Sequence, residues 1–264
     1  MKNCTIIGID IAKSVLQLHG TDAQGKVLLK KRIRREDFLA SMAKLSRCVI
    51  GMEACGGSNY WALKLTELGF DVKLMSPRKV KKYVDHQKND ANDAQACAEA
   101  VSRAHMTFVP IRTKEQMEMQ ARHRIRSYYL KERTALSNMM RGLLLEQGIA
   151  IARGKAMLRK RMVELLEDTD QKLSPCMKRE FKGLHEYLLK IEDQIEAHTV
   201  AIEKAAKEDE YCKRISSIPG LGSITSTALI AKIGNGSEFR AGRELSAYLG
   251  LVPRQHSSGE TRKL

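Results

Sequence analysis

Apolar and polar positions change their spacing twice along the chain. Up to about residue 110, short apolar runs alternate with helical faces. Cys4 to Ile9 is a β-branched apolar run ending at Asp10, and Val15 to His19 and Val27 to Ile33 follow. Turn residues such as Thr21-Asp22-Ala23-Gln24-Gly25 separate them, which predicts a three-strand meander. Glu36 to Leu45 has helical spacing. Cys48 to Met52 is a short buried strand that stops at Glu53. The helix predicted over Ser58 to Leu68 meets Gly69, a C-terminal stop, and Asp71 to Met75 is a further strand. Residues 1–112 therefore predict an α/β domain with strands of both senses.

From Thr113 to Gly148 the spacing becomes helical. Met117, Ala121, Ile125, Tyr128, Ala135, Met139 and Leu143 recur at three- and four-residue steps, with Glu132 interrupting the stripe. Arg122, Arg124, Arg126, Lys131, Arg133 and Arg141 lie between them. One face is expected to pack and the other to be cationic. A second helix carries Met177, Phe181, Leu184, Leu188, Ile191, Ile195 and Ile202 in the four-three rhythm of a heptad seam, with His198 in the missing slot. An intramolecular hairpin with the earlier helix and a subunit interface both satisfy that seam. The expectation is a long helical coiled-coil region over 113–210 and a homo-oligomer, dimer or tetramer, through it.

Residues 211–264 change character again. Ile218-Pro219-Gly220-Leu221-Gly222 predicts a tight turn before a helix over Ser223 to Ile233, which Gly234-Asn235-Gly236 stops. Glu244 to Leu249 is a short helix, followed by Pro253-Arg254-Gln255-His256-Ser257-Ser258-Gly259. This predicts a small, mostly α C-terminal domain.

Charge narrows the partners. The 264 residues carry 46 Lys and Arg against 31 Asp and Glu, a formal charge of +15. A surplus of this size repels itself unless a polyanion is the partner, and nucleic acid is the first candidate. An anionic membrane would also satisfy the charge, but no long basic amphipathic helix has a bulky aromatic face. No apolar run is long enough to span a bilayer, and Met1 to Asp10 lacks the three regions of a signal peptide. The six cysteines form no C-x-x-C pair, which argues against a structural zinc site and for reduced core thiols. These features predict a soluble cytoplasmic protein without a membrane partner.

Four carboxylates stand out by position. Asp10 and Glu53 sit where apolar strands end. Asp90 and Asp93 lie in Lys88-Asn89-Asp90-Ala91-Asn92-Asp93-Ala94, at the start of a predicted helix running to Arg103. Their three-residue step places them on one side of a turn. Acids gathered at one point repel one another, and divalent cations relieve that repulsion. Mg²⁺, or Mn²⁺ in its place, prefers carboxylate oxygens and bridges readily to phosphate. Two such ions would stabilise both oxygens of a phosphodiester undergoing cleavage. Taken singly, the acids also read as a turn residue, a solvated strand end and helix-capping groups.

The ordered set Ile7-Gly8-Ile9-Asp10-Ile11-Ala12-Lys13, Gly51-Met52-Glu53-Ala54-Cys55-Gly56 and Lys88 to Ala94 closely resembles the DEDD transposases of bacterial insertion sequences, the group that includes the Piv-type DNA invertases. Ile218 to Gly222 and Gly250 to Gly259 resemble the second domain of the same family. The matches lie in the family's order and span almost the whole chain. The resemblance implies an RNase H-like (RuvC-like) N-terminal fold and places the family's four metal-binding acids on Asp10, Glu53, Asp90 and Asp93. It carries the family's nucleophilic serine to Ser258, before Gly259. It further implies a covalent phosphoserine, a metal site of one subunit completed by the second domain of another, and, for some members, guidance by a structured RNA. The implied function is a transposase or site-specific recombinase. A RuvC-like nuclease using water, or a non-catalytic nucleic-acid-binding protein, are the alternatives.

The local residues bear on that reading. Serine is a weak nucleophile until its proton is removed or stabilised. Arg254 would neutralise phosphate, and Gly259 lets the backbone approach closely. Ser257 is the rival nucleophile, and His256 a proton shuttle or a plain loop residue. Pro219 to Gly222 looks like half of a helix-hairpin-helix, where Gly220 and Gly222 let backbone N–H groups face a phosphate; a plain interhelical turn explains the same residues. Arg78, Lys79, Lys81, Lys82 and Lys88 lead into the acidic pair, and Arg122 and Arg126 lie on the cationic helix face. Each of these is a candidate for the nucleic-acid backbone or a solvated basic surface. Family members continue past the position of Leu264 with basic helical sequence. The expectation is a shortened second domain and a metal site that still forms, with strand exchange by this chain alone left open.

Overall fold

The computed structural model describes residues 3–84, 89–167, 172–252, 256–258 and 261–263, the last two stretches as backbone. The chain forms two compact units, residues Met1–Thr113 and Lys114–Leu264.

The first unit is a six-stranded mixed sheet. Its strands are β1 (Ile6–Ile11), β2 (Val15–Thr21), β3 (Val27–Arg34), β4 (Val49–Glu53), β5 (Asp71–Met75) and β6 (Phe108–Val109), in spatial order β3-β2-β1-β4-β5-β6. The β1–β2–β3 meander is antiparallel, β4 and β5 continue parallel to β1, and β6 closes the edge antiparallel to β5. Successive strand residues point to opposite faces. Ile7, Ile9, Leu16, Ile50 and Met52 pack on one face with Phe38 and Met42 of α1 (Phe38–Ala43) and Trp61 and Leu65 of α2 (Ser58–Glu67). The other face receives α4 (Asp90–Val101), whose Ala96, Cys97, Ala100 and Val101 pack with Met75 and Val80. Between β5 and α4 runs a helical turn, α3 (Pro77–Val80), continued by a 3₁₀ turn at Lys81–Tyr83.

In the second unit, α5 (Lys114–Glu146) and α7 (Pro175–Glu208) run in opposite directions against each other. The Arg126 guanidinium donates to the Thr199 hydroxyl at 2.7 Å, and the Tyr187 hydroxyl donates to the Glu132 carboxylate further along. The heptad-spaced positions of α7 face inward. Phe181, Leu188, Ile191 and Ile195 are buried with Leu136, Met140 and Leu144 of α5. His198, in the seam's odd slot, stacks on Tyr129 with ring centroids 6.0 Å apart. The seam is thus covered from within the chain and is not a free face for another subunit.

The face of α5 that packs differs from the expected one. Leu136, Met140 and Leu144 are buried, whereas Ile125, Tyr128, Met139 and Leu143 are exposed, Tyr128 by 60%. Two apolar stripes run side by side on this helix, and the one facing α7 is rotated by a residue from the stripe read in the sequence. A helix absent from the sequence reading, α6 (Lys155–Glu167), adds Leu158, Met162 and Leu165 to this core. The remaining elements are α8 (Glu210–Ser216), α9 (Ser223–Ile233), α10 (Gly242–Leu249), and a small hairpin of β7 (His256–Ser258) and β8 (Thr261–Lys263). Gln116 and Gln120 of α5 donate to the carbonyls of Ile230 and Ala231 at 3.0 and 2.8 Å, tying α9 to the long helices.

Three cysteines, Cys4, Cys97 and Cys212, are buried as core thiols, whereas Cys55 and Cys176 are exposed; none is in a disulfide. No helix among the described residues is long and apolar enough to cross a membrane.

Candidate metal centre

Two glycines let the acids meet. Gly8 in β1 pairs with Gly51 in β4. A Cβ on Gly8 would lie 2.1 Å from the Ala94 carbonyl oxygen and 2.3 Å from the Ala98 nitrogen. One on Gly51 would lie 2.7 Å from the Cys97 carbonyl oxygen. Both glycines therefore face α4, whose backbone sinks to a depth that no larger residue permits. Alternation then puts Asp10 and Glu53, each two residues on, at the same face. Helix α4 starts at their end. Asn89 is its N-cap, accepting from the Asn92 backbone N–H at 2.9 Å, so Asp90 and Asp93 occupy the first turn.

The outcome is a cluster in which carboxylate oxygens of Asp10, Asp90 and Asp93 all lie within 4.8 Å of one another. Asp10 and Asp93 are half-buried and Asp90 is exposed. The fourth acid, Glu53, ends β4 and is half-buried, outside that group of three. Its charge reaches the same neighbourhood. Burial first, then the charges of Glu53, Asp10 and Asp93, push the buried Cys97 thiol far above its ordinary range. Burial and the charges of Glu53 and Asp10 likewise raise Cys55. Hard carboxylate oxygens with access to water are the donor set that Mg²⁺ or Mn²⁺ takes, so the residues fit such an ion. The positive end of α4 partly offsets the gathered charge.

The other sequence candidates lie elsewhere. Arg78 and Lys79 are exposed on α3, with the Lys79 ammonium donating to the Thr107 hydroxyl, and Lys81 and Lys82 are exposed on the turn that follows. Arg122 is exposed on α5. Arg126 is half-buried and engaged with Thr199, which makes it a tie within the helical hairpin rather than part of an open cationic face. Gly220, with φ of +88°, forms the turn between α8 and α9, and Gly222 is the N-cap residue of α9. Ser258 ends β7 and pairs with Thr261 of β8. Lys88 and Arg254 fall outside the described residues, as do the side chains of His256, Ser257 and Ser258.

Gly8 and Gly51 are functional positions that sequence reading passed over. Their signal was present: a glycine inside an apolar strand, two residues before an acid, occurring twice.

The first unit is thus an α/β domain with three aspartates gathered where β1 ends and α4 begins. The chain matches the DEDD-type transposase family of the IS110 group over residues 7–148 and the transposase IS116/IS110/IS902 family over residues 212–264. It is 43% identical over 264 residues to the transposase for insertion sequence element IS1111A of Coxiella burnetii, covering 100% of this chain and 72% of that protein. It is 39% identical over 271 residues to a probable family 20 transposase of Pseudomonas aeruginosa, covering 99% and 78%. With the transposase for insertion sequence element IS1328 of Yersinia enterocolitica it shares 38% identity over 259 residues, 98% of this chain and 77% of the relative. The chain belongs to the IS110 family of transposases.

Proposed function

We propose that the chain is a DNA strand-transfer enzyme whose first unit is RNase H-like, with Asp10, Glu53, Asp90 and Asp93 holding Mg²⁺ and Ser258 acting as nucleophile. The observation that carries this reading is the convergence of Asp10, Asp90 and Asp93 from two distant segments onto one point. A bound Mg²⁺ would neutralise charge on the phosphate oxygens as they develop it. The four carboxylates fix where that phosphate sits. The Ser258 Oγ forms a bond to phosphorus as the bond from phosphorus to a deoxyribose oxygen breaks, and the serine proton ends on the released deoxyribose hydroxyl. A hydroxyl of a second DNA strand then attacks the phosphoserine, restoring the serine and joining the strands.

Two further parts of the proposal rest on family membership: a structured RNA that selects the DNA site, and a homo-oligomer in which the second unit of one copy completes the acid site of another. A supercoil of α5 with α7 rests instead on the heptad spacing of α7, and the division into a metal-binding domain over 1–112, a helical region over 113–210 and a C-terminal serine domain over 211–264 on the changes of spacing along the chain.

A second reading is a nuclease that uses water, favoured by the fact that the acid cluster is assembled wholly inside the first unit. One experiment separates them. The protein is incubated with Mg²⁺ and DNA carrying the junction of the element's ends, and protein covalently joined to DNA is sought. The proposal requires an adduct that Ser258→Ala abolishes. Cutting without an adduct, unchanged in Ser258→Ala, supports the nuclease.

A further inference from the structure

Beside the acid cluster lies a cleft. It is open, about 220 Å³ in volume, and runs between α4 and the β2–β3 hairpin. Gln17, His19, Lys30 and Arg32 of the hairpin line it, with Asn92 and Gln95 of α4 opposite. Strand register fixes the layout. Asp10 pairs with Gln17, which pairs with Arg32; Gly8 pairs with His19, which pairs with Lys30. Residues directly opposite share a face, and Gly8 faces α4, so both rows lie on the α4 side of the sheet. One row runs from a carboxylate of the cluster through an amide to a guanidinium across three strands, roughly 10 Å in all.

Among the described residues the lining contains no acidic side chain. Lys30 and Arg32 are exposed, and neither forms an ion pair among the described residues. A lysine on an edge strand also deters pairing with another sheet. That role does not call for an adjoining cleft walled by amide side chains and a histidine only 4% exposed. A second, wider cleft of about 470 Å³ shares His19 and Gln95 and carries Asp22, Glu99 and Arg103. The cationic end is therefore the end next to the cluster. Cations with amide donors and no compensating acid form a surface for phosphodiester oxygens.

We infer that this cleft binds the backbone of one DNA strand and leads it to the acid cluster, with Lys30 and Arg32 as its phosphate contacts. The strand crosses β3, β2 and β1 in that order. The amides of Gln17 and Gln95 face the phosphates and sugars on the way. The inference rests on reading the cluster as a phosphoryl-transfer centre, and it names the surface that delivers the substrate.

The test uses the full chain, a fluorescent single-stranded oligodeoxynucleotide, and anisotropy over a range of salt. Lys30→Ala/Arg32→Ala weakens binding by roughly tenfold and flattens the salt dependence by about one for each cation removed. Arg32→Lys retains most of the affinity. The charge-matched control Lys182→Ala/Lys190→Ala, at exposed positions on α7, stays within about twofold of the parent. Equal losses in the two double variants would show that only net charge matters and would overturn the inference, as would unchanged binding in Lys30→Ala/Arg32→Ala. Stabilisation by Mg²⁺ is recorded in parallel. It persists in Lys30→Ala/Arg32→Ala and shrinks in Asp10→Asn, so a failed cleft and a failed metal centre give different results.

Discussion

Gly8 and Gly51 stand opposite each other in the parallel pairing of β1 and β4, and the α4 backbone occupies the space their absent side chains leave. The depth of that helix brings the first-turn aspartates to the strand that carries Asp10. Gly8→Ala would force a methyl group against backbone atoms of Ala94 and Ala98, which cannot swing aside as a side chain tip does. Overpacking of this kind costs about 1–3 kcal/mol. Urea unfolding should report that loss, and the Mg²⁺-dependent rise in Tm should fall with it, because the acids separate.

Other glycines predict the opposite sign. Gly142 in α5 and Gly183 in α7 lie inside long helices, and a methyl group added at either would meet nothing within 4 Å. Replacing either by alanine should stabilise the protein by roughly 1 kcal/mol, since glycine gives up more backbone freedom in a helix. A lower denaturation midpoint for Gly142→Ala would contradict the local structure described for α5.

The acids predict a titration with metal. Glu53→Gln and Asp10→Asn each remove one negative charge from the site, so saturating Mg²⁺ should raise Tm less than in the parent. Each tenfold loss of affinity lowers that stabilisation by about 1.4 kcal/mol. Equal shifts in parent and Glu53→Gln would remove Glu53 from the metal centre.

Contrasting substitutions test which faces of the helical hairpin are buried. Phe181 is fully buried between α5, α6 and α7, and Phe181→Ala should cost about 3–5 kcal/mol. Tyr128→Ala, on the exposed stripe, should stay within about 0.5 kcal/mol of the parent. The pair would exchange effects if the stripe read from the sequence were the packed one.

Three histidines predict how stability depends on pH. Burial, then the Lys30 ammonium, holds His19 below its ordinary value of 6.5. Burial, then the Arg126 charge, does the same to His123, whose Nε2 lies 3.0 Å from the Thr227 hydroxyl oxygen. Burial and Arg159 lower His185. The unfolded chain then binds more protons than the folded one between the lowered values and 6.5. Stability contributed by these groups is complete above 6.5 and declines as pH falls below it. Urea midpoints between pH 7.5 and 5 should fall, and replacing His123 by Gln should flatten the slope.

The meander, the buried β4 and β5 strands and the acid-bearing ends of β1 and β4 were legible because each depends on neighbours a few residues away. Asp90 and Asp93 were legible for the same reason, since Asn89 caps their helix locally. The packed face of α5 was not. Its sequence carries two adjacent apolar stripes, and helical spacing is satisfied by either. Nor was the cleft beside Asp10, because Gln17, His19, Lys30 and Arg32 read in sequence as ordinary polar positions of a hairpin.

The linear pattern of residues was enough to set the family, the meander and the helix that carries Asp90 and Asp93, but not α6. Packing between distant segments settled the rest: that the α7 seam is covered by α5, that Arg126 is engaged in the hairpin, and that two glycines set the height of α4 over the sheet. Local periodicity specifies that a helix or strand has an apolar face; which partner covers it, and how near, follows from steric fit between segments far apart in the chain.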